Sequence, residues 1–500
     1  MHKIIILILA LTGSGWAQQW SPGLNVTYYD PGASWTASNQ ARSLAISGDT
    51  IHLIWYNATA GNNNTGHQIY YKKYDGTAWD TVNTQIGYFG NWRRHSWYPS
   101  CALGAGGDLH AVWETNDFIQ TSDGASIYDI AYRRLSQGTW SGVTRVTSNV
   151  SQGYSWRPVI ACGPDNTVHL AWQDNRQGTF KIFYKTLSSG SWSGDLCLSP
   201  LGVYAGFPSL AVSGSEPAVV WQDFRDGSNQ IYFKQHSASG WGQDSAISQS
   251  SYGAFAPCLA GDRDGNLHAA WEDLQDGNFE IYYRRLSVLN KTWGPVVRLT
   301  KDPYYSRQPF LQCQNDGTIN LFWSDDREGA YEIYHRQFSG GVWQPETTLT
   351  SFDGWASMNP SAAEDHLGNL HLAWSDFSPY YQAPDIFYML GDYTKKITEE
   401  NRAASPGSAA LSMFPARPNP MRNRTKISMM TVQSGWARLR VYNIAGQLVK
   451  ELYQGQLPGG QHEFEWDARD GNGKMVSNGL YLARAETGGS AVTGKIMVVR

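Results

Sequence analysis

Seven tryptophans divide this chain of 500 residues into repeats of similar length. Each of them closes a short apolar run, and the intervals between them are 58, 59, 49, 50, 52 and 51 residues. The seven are Trp55, Trp113, Trp172, Trp221, Trp271, Trp323 and Trp374. A polar loop and an aromatic run typical of a strand follow each one, as in Ile182-Phe183-Tyr184. A long period with several short β-type runs in each copy predicts an all-β chain built as a β-propeller.

Each repeat can be divided into four strands, which we call A to D. In the third repeat, strand A is Pro158–Cys162, strand B is Val168–Trp172 and strand C is Lys181–Lys185. A second set of seven tryptophans marks strand D: Trp20, Trp79, Trp140, Trp192, Trp241, Trp293 and Trp343. The first of these precedes every A, B and C strand, whereas the last repeat stops after its C strand, Asp385–Tyr388. We therefore expect the N-terminal strand to complete the last of seven blades, which closes the ring and leaves no open edge.

The first 17 residues are predicted to be a secretory signal peptide. His2 and Lys3 precede an apolar run, and Gly15-Trp16-Ala17 supplies small residues at the cleavage position. No later run is long enough for a transmembrane helix, so we expect no membrane-spanning segment. The formal net charge of −4 shows no basic excess, which argues against nucleic acid as a partner.

Two residue types recur at fixed positions in the repeats, and both are expected to lie in the core. Four of the five cysteines follow the repeated proline and are expected to be buried free thiols: Cys101, Cys162, Cys258 and Cys313. Five histidines lie three residues before a core tryptophan: His52, His110, His169, His268 and His371. Because these histidines belong to different blades, they cannot converge on one ion, and neither a metal site nor another cofactor is expected.

Residues 18–393 resemble the sialidase-like propeller superfamily. The resemblance rests on the run Trp221-Gln222-Asp223-Phe224-Arg225-Asp226-Gly227 and on a turn into strand D that ends in Gly190-Ser191-Trp192. The Asp box of that superfamily is eroded, with its closest remnant at Tyr74-Asp75-Gly76-Thr77-Ala78-Trp79. The resemblance implies the architecture. For sialidase catalysis it offers one element, Arg307-Gln308-Pro309, but it lies late in the chain, and no Glu–Tyr nucleophile pair stands out in the sequence.

A polar linker over residues 394–410 precedes a second domain at residues 411–500. Phe414-Pro415-Ala416-Arg417-Pro418-Asn419-Pro420 opens this domain, and Leu439–Gly446 and Trp466–Gly473 continue it as strands and glycine-rich turns. Alternating short strands of this kind predict a small Ig-like β-sandwich. The motifs resemble the type A sorting domain of the type IX secretion system, a relative of the FlgD Ig-like domain; an ordinary Ig-like module is the alternative. The resemblance implies export by that secretion machinery to the outer surface of a Gram-negative bacterium.

Large side chains precede strand A in several repeats and are the candidate ligand-binding residues. Because strands alternate in direction, the D–A and B–C loops share one face of the propeller. The D–A loops also carry Trp92, Arg93 and Arg94. The candidates are Trp97, Tyr98, Trp156, Arg157, Phe207, Phe255 and Arg307, and all of these except Tyr98 and Phe207 are the leading ones. Aromatic platforms with a few charged groups suit a glycan or a peptide ligand. The alternative is that these rings only pack blade against blade.

Aspartate and arginine recur in the B–C loops on the same face. The candidate residues are Asp174, Arg176, Asp223, Arg225, Asp325 and Arg327. Paired carboxylates are the groups that glycoside hydrolysis requires. However, aspartate occupies this position in five repeats, with Asp273 and Asp376 as the other two, and a catalytic residue is needed once. The recurrence favours a structural role.

Three functional hypotheses follow from these observations. The first is a secreted or surface module that binds a glycan or a surface protein through the aromatic face without catalysis. The second is a diverged sialidase-like glycoside hydrolase or lyase. The third is a structural or adhesive surface protein without a small-molecule site.

Overall fold

The computed structural model describes residues 20–391 and 411–498, apart from 22, 28–32, 37–41, 59–65, 88–94, 119–126, 149–152, 351–354, 379–382, 414–420, 432–433, 444–446 and 488–489. The expected signal peptide (1–17), the linker (394–410), the Phe414–Pro420 motif and Trp92, Arg93 and Arg94 lie outside these residues. The described residues are all-β, as the sequence predicts. Within them, no helix is long and apolar enough to cross a membrane.

Seven antiparallel sheets follow one another along residues 24–390 of the described chain. Strand β1 (Leu24–Asn25) pairs outside this order and is treated with the seventh sheet. The first sheet contains β2 (Ala33–Trp35), β3 (Leu44–Ser47), β4 (Thr50–Ala58), β5 (His67–Tyr74) and β6 (Thr84–Gln85). The second contains β7 (Ser96–Leu103), β8 (Leu109–Thr115), β9 (Asp129–Ser136), β10 (Thr139–Trp140) and β11 (Thr144–Arg145). The third contains β12 (Ser155–Cys162), β13 (Val168–Asp174), β14 (Lys181–Ser188), β15 (Ser191–Trp192) and β16 (Leu196–Cys197).

The remaining sheets repeat this arrangement. The fourth contains β17 (Ala205–Ser213), β18 (Glu216–Asp223), β19 (Gln230–Ser237), β20 (Gly240–Trp241) and β21 (Ser245–Ala246). The fifth contains β22 (Ala254–Gly261), β23 (Leu267–Asp273), β24 (Glu280–Ser287), β25 (Thr292–Trp293) and β26 (Val297–Arg298). The sixth contains β27 (Ser306–Cys313), β28 (Ile319–Asp325), β29 (Glu332–Ser339), β30 (Val342–Trp343) and β31 (Thr347–Thr348). The seventh contains β32 (Ser357–Glu364), β33 (Leu370–Ser378) and β34 (Ala383–Leu390), and β1 pairs with β34 at Leu24↔Tyr388.

The core lies between consecutive sheets. All seven strand B tryptophans are at most 1% exposed. Apolar clusters draw their members from two neighbouring sheets, and one of them joins Leu53 and Trp55 of the first sheet to Ala373 and Ile386 of the seventh. A ring contact also repeats between sheets, from a strand C aromatic residue to the strand D tryptophan of the next sheet, as in Tyr184–Trp241 at 4.8 Å. Consecutive sheets are therefore packed face to face through one repeated set of side chains.

A cation in strand C joins six of the sheets to the sheet before them. In the third sheet, Lys185 Nζ donates to the Val146 carbonyl at 3.0 Å, and in the first sheet Lys72 Nζ donates to the Val26 carbonyl at 2.9 Å. The other four donors are Arg133, Lys234, Arg284 and Arg336. Because the receiving carbonyls are at the ends of strand D, each bond satisfies a backbone acceptor that the sheet leaves unpaired.

Strand A begins before its proline, which differs from the expectation. Strand β12 starts at Ser155 rather than at Pro158, and its register against β13 shifts between Trp156 and Val159. The residue before the proline takes a left-handed φ in six sheets: Tyr98, Arg157, Phe207, Ala256, Gln308 and Asn359, with values from 43° to 56°. Proline has no N–H for the ladder, so the strand bulges there and turns the preceding side chain. The candidate residues that we expected in D–A loops therefore lie within strands, at a bulge.

The C-terminal residues form a separate unit of two sheets. One sheet contains β35 (Leu411–Met413), β36 (Thr425–Thr431) and β39 (Gly460–Trp466), and the other contains β37 (Gly435–Asn443), β38 (Leu448–Leu457), β40 (Gly479–Thr487) and β41 (Ser490–Val498). Its core includes Ile427, Leu439 and Trp466, none of them exposed. Two sheets around one apolar core make a β-sandwich, as expected.

Candidate functional site

One position of strand A lies opposite the residue after the core tryptophan in every sheet. In the second sheet the pair is Trp97 and Glu114, and in the third it is Trp156 and Gln173. The strand A residues at this position are Trp35, Trp97, Trp156, Gly206, Phe255, Arg307 and Met358. Their strand B partners are Tyr56, Glu114, Gln173, Gln222, Glu272, Ser324 and Ser375. Whereas the core residues repeat, these two positions differ from sheet to sheet.

A cavity of about 390 Å³ lies among the first three sheets. Its lining brings together four of the predicted site residues, Trp97, Tyr98, Trp156 and Arg157, with four that we did not predict, Trp35, Tyr56, His67 and Glu114. The cavity therefore combines six flat rings with one cation and one carboxyl group. That composition suits a small polar ligand with apolar faces, such as a sugar.

Arg157 has no ion-pair partner among the described residues, although it is partly buried. Its guanidinium carbon lies 4.5 Å from the ring centre of Tyr98 and 4.3 Å from that of Phe207. Its Nη1 is buried without a hydrogen-bond partner, and so is Nε1 of the neighbouring Trp156. A buried donor without an acceptor is costly, by about 1–3 kcal/mol. Both donors belong to side chains that line the cavity.

Glu114 supplies the carboxyl group of the cavity. Its Oε2 accepts the backbone N–H of Arg157 at 2.8 Å, and the residue is 2% exposed. Burial raises the pKa of Glu114 to about 7, and the N–H and charge of Arg157 only partly oppose that shift. Burial also raises the pKa of Tyr56, and the nearby Tyr98 and Glu114 add to this effect. Glu114 therefore changes its charge near neutral pH while it faces tyrosine hydroxyls and an unpaired arginine.

One histidine, His67, lines the cavity and contacts a second, His95. Nδ1 of His67 lies 3.2 Å from Nδ1 of His95, and the ring of His67 contacts Trp97 with centroids 5.2 Å apart. Burial, with a smaller contribution from the neighbouring His95, lowers the pKa of His67 to about 4. His67 is therefore neutral near pH 7 and adds a polar but uncharged group to the lining.

A related arrangement joins the fifth and sixth sheets, away from this cavity. Glu272 is 1% exposed and accepts the backbone N–H of Gln308 at 2.7 Å, as Glu114 accepts that of Arg157. Here, however, Nε and Nη2 of Arg307 both lie 3.1 Å from Glu272 Oε2, which makes an ion pair. Arg307 also covers the ring of Phe279 at 4.2 Å, and Phe279 contacts Phe255 at 5.8 Å. The predicted residues Phe255 and Arg307 thus lie in a second cluster, apart from the cavity of Trp156 and Arg157.

The aspartates of the B–C loops bind their own loops. Asp174 is fully buried and accepts hydrogen bonds from Trp172 Nε1 at 3.1 Å, from Ser155 Oγ at 2.7 Å and from Arg176. Asp223 with Arg225 and Asp325 with Arg327 repeat the pattern. These contacts account for the aspartates and arginines as loop supports. A ligand-binding role for Asp174, Arg176, Asp223, Arg225, Asp325 and Arg327 stays a prediction.

The repeated histidines contact tyrosines in the cores of their sheets. His169 Nδ1 lies 2.6 Å from the Tyr184 hydroxyl, and His52, His110, His268 and His371 make the equivalent contact. In the sixth sheet the pair is reversed, since Asn320 stands in strand B and His335 in strand C, 2.9 Å apart. No group of three metal-binding side chains occurs among the described residues. These contacts give the histidines a structural role.

Two larger cavities are weaker candidates for a ligand site, because polar groups in their linings are already paired. One of about 650 Å³ includes Arg327, whose guanidinium already pairs with Asp302, Asp325 and Glu346. The other, of about 460 Å³, is lined partly by turn glycines and by His52, which is bonded to Tyr71. The cavity of Arg157 is smaller, but its lining includes two buried donors without partners, Arg157 Nη1 and Trp156 Nε1, whereas the lining of the cavity of about 460 Å³ includes one, Trp140 Nε1.

Sequence reasoning missed Glu114, Trp35, Tyr56 and His67. A usable signal was present for Glu114, because the residue after the core tryptophan is glutamate only at Glu114 and Glu272. Trp35 was hidden because eight residues separate β2 from β3, where other sheets have a bulge. His67 lies at the start of strand C, and only the packing of the first two sheets brings it to the cavity.

Comparison with known proteins identifies the C-terminal unit more closely than the sheets before it. The family model of the FlgD Ig-like domain matches residues 423–490. No curated protein matches the chain. Among solved structures, a protein of unknown function from Dyadobacter fermentans is 13% identical, with a TM-score of 0.45 over 61% of this chain and 96% of its own. An ulvan lyase is 11% identical, with a TM-score of 0.49 over 73% and 95%, respectively. PorZ, a surface component of the type-IX secretion system of Porphyromonas gingivalis, is 14% identical, with a TM-score of 0.40 over 93% and 60%.

Proposed function

We propose that this protein is a surface glycan-binding protein whose seven sheets are the blades of one closed propeller. Three contacts support closure: the pairing of β1 with β34, the Lys72–Val26 hydrogen bond, and the apolar cluster that joins Trp55 to Ile386. Deleting residues 18–32 should destabilise the whole propeller, because the seventh sheet loses its outer strand. A truncated protein that melts like the full chain would contradict this assignment.

The ligand is a glycan that carries an acidic group. The observation that carries this proposal is the buried Nη1 of Arg157, which has no partner while its guanidinium is held between Tyr98 and Phe207. A carboxylate is the acceptor whose geometry matches a guanidinium best. Trp97 and Trp156 in the same lining offer faces on which sugar rings can stack. A neutral sugar would leave the charge of Arg157 unmatched.

The test is affinity gel electrophoresis of the full chain against acidic and neutral polysaccharides. Trp156→Ala with Arg157→Ala should abolish the retardation seen for an acidic polymer and change the melting temperature little. Tyr252→Ala is the matched control, because Tyr252 is an exposed ring on the same face but outside the cavity. Unchanged retardation of the double variant would refute the site. If no polymer is retarded, the structural or adhesive alternative is favoured.

A diverged glycoside hydrolase or lyase is the second candidate function. It is favoured by Glu114, because a general acid or base works best when its pKa lies near the working pH. Tyr56, Tyr98 and Arg157 around it would supply further polar groups to a reacting sugar. Glu114→Gln should then abolish release of reducing ends or unsaturated products while binding is kept. Turnover unaffected by this substitution would exclude Glu114 from catalysis.

The two ends of the chain are proposed to direct it to the cell surface. Residues 1–17 would start export, and residues 411–500 would act as an address for the type IX secretion machinery of a Gram-negative bacterium. The FlgD Ig-like match supports an Ig-like domain there, and the resemblance of its motifs to a type A sorting domain supports the address. Removing residues 411–500 should leave a folded propeller in the periplasm. Normal surface display of that truncated protein would contradict the proposal.

A further inference from the structure

An unbroken series of ring contacts runs through the cavity and continues beyond it on both sides. Eight contacts join nine rings, with centroid separations between 5.1 and 6.5 Å. In order, the rings are Phe377, Trp35, Tyr56, His67, Trp97, Tyr128, Trp156, Phe180 and Tyr204. We call this series the aromatic arc. It begins in the seventh sheet, crosses the first three sheets and ends just before the fourth.

The aromatic arc does not belong to the ring contacts that hold the sheets together. Those contacts repeat between strand C of one sheet and the strand D tryptophan of the next, as in Tyr184–Trp241 at 4.8 Å and Tyr132–Trp192 at 5.4 Å. No arc residue takes part in those contacts, although the links Trp156–Phe180–Tyr204 have an equivalent outside the arc in Phe255–Phe279–Tyr305. Gly206 and Met358 occupy the position of Trp97 and Trp156 in the fourth and seventh sheets, and both sheets form without a ring there. Packing of the sheets therefore does not require the arc.

The arc also remains open to a ligand over most of its length. Eight of its nine rings are partly exposed, and Tyr128, which is 9% exposed, is the buried member. Five of the rings line the cavity of Arg157. Beyond Trp156 the series continues to Phe180 and Tyr204, and beyond Trp35 it continues to Phe377. A single sugar in the cavity would leave these outer rings uncovered.

We propose that the aromatic arc binds an extended acidic polysaccharide, with one sugar in the cavity beside Arg157 and its neighbours along the outer rings. This inference rests on the proposed function, since it extends the same cavity. Sugar rings have apolar faces that stack on aromatic side chains, while Arg157 fixes the register of the chain through one acidic group. The aromatic arc would therefore bind an internal stretch of the polymer rather than its terminal sugar.

The experiment measures how affinity depends on the length of the ligand. Polygalacturonate, alginate and hyaluronan are first compared by affinity gel electrophoresis with the full chain. Oligosaccharides of the polymer that is retarded most, from disaccharide to octasaccharide, are then titrated by calorimetry. We expect the dissociation constant to fall with each added sugar until the arc is covered. Phe180→Ala should weaken the octasaccharide about three- to tenfold and leave the disaccharide unchanged, since it removes one stacking contact outside the cavity.

Two controls separate this inference from the proposed function. Tyr305→Ala removes an exposed ring of the Phe279 cluster, which is not part of the arc, and should leave every affinity unchanged. Trp156→Ala should weaken short and long ligands alike. If the disaccharide binds as tightly as the octasaccharide, or if Phe180→Ala weakens both equally, the extended site is refuted while the cavity stands. If none of the three polymers is retarded, the proposed function and the extended site both fail.

Discussion

Two junctions between sheets, the second–third and the fifth–sixth, have the same backbone hydrogen bond to a buried glutamate. They differ in whether an arginine side chain pairs with that glutamate. In both, a buried glutamate follows the core tryptophan and accepts the N–H of the bulged residue of the next sheet, at 2.8 Å for Glu114 and 2.7 Å for Glu272. Arg307 lies one residue before its bulge and pairs with Glu272. Arg157 occupies the bulge itself, and its guanidinium lies between Tyr98 and Phe207.

The position of the arginine, one residue before the bulge or at the bulge itself, therefore decides whether its charge is paired with that of the glutamate. Successive side chains of a strand point to opposite faces, and the left-handed φ of 53° at Arg157 turns its side chain further from that of Trp156. In the fifth–sixth junction the two charges form an ion pair. The second–third junction leaves a titrating carboxyl group and an unpaired guanidinium in one cavity. Because isolated buried charges are costly, this difference supports the proposed binding site at the second–third junction.

The largest expected difference is in the free energy of unfolding after removal of each arginine. Arg307→Leu should lower it by about 3–4 kcal/mol at neutral pH, because Glu272 is left buried without its partner; the 42% exposure of Arg307 keeps this near the low end for buried pairs. Arg157→Leu should cost about 1 kcal/mol or less, since no carboxylate pairs with its guanidinium. Urea denaturation of both variants measures the difference.

The double variant Arg307→Leu with Glu272→Gln provides the control for that comparison. Because glutamine carries no charge, it should recover much of the loss caused by Arg307→Leu. Equal losses for Arg307→Leu and Arg157→Leu would show that the two junctions do not differ in the way their contacts indicate.

These junctions also show what the sequence could predict. Strand order, the core tryptophans and the structural histidines follow from residues that recur, and the structure agrees with each of them. Trp156 and Arg157 were predicted as site residues and lie together, but Phe255 and Arg307 belong to another cluster. The bulge before each proline determines which side chains are in contact. No residue pattern alone predicts a left-handed φ at Tyr98 or Arg157. Glu114 carried a signal of its own, as one of two glutamates that follow a core tryptophan, but its contact with Arg157 depends on that bulge.

The second prediction concerns pH. The pKa of Glu114 is about 7 in the folded protein against an ordinary value of 4.5, so the folded state keeps a proton that the unfolded state releases. Stability should therefore fall as pH rises from about 4.5 to about 7 and then level off, by up to about 3 kcal/mol. Glu114→Gln should remove this component. Thermal melts of both proteins across that range measure it, and parallel curves for the two proteins would contradict the assignment.

The smallest change in stability is expected from making one junction like the other. Trp156→Arg combined with Arg157→Gln gives the third sheet the side chains that the sixth has at Arg307 and Gln308. The introduced guanidinium should pair with Glu114 as Arg307 pairs with Glu272. This pair should offset the lost contact between Trp156 and Phe180, so the free energy of unfolding should change by no more than about 1 kcal/mol. Pairing should also bring the pKa of Glu114 back toward its ordinary value, so the fall in stability toward pH 7 should disappear. Binding of acidic polysaccharide should be lost at the same time, because no unpaired guanidinium is left. A variant that keeps both the pH dependence and the binding would show that the position of the arginine is not what separates the two junctions.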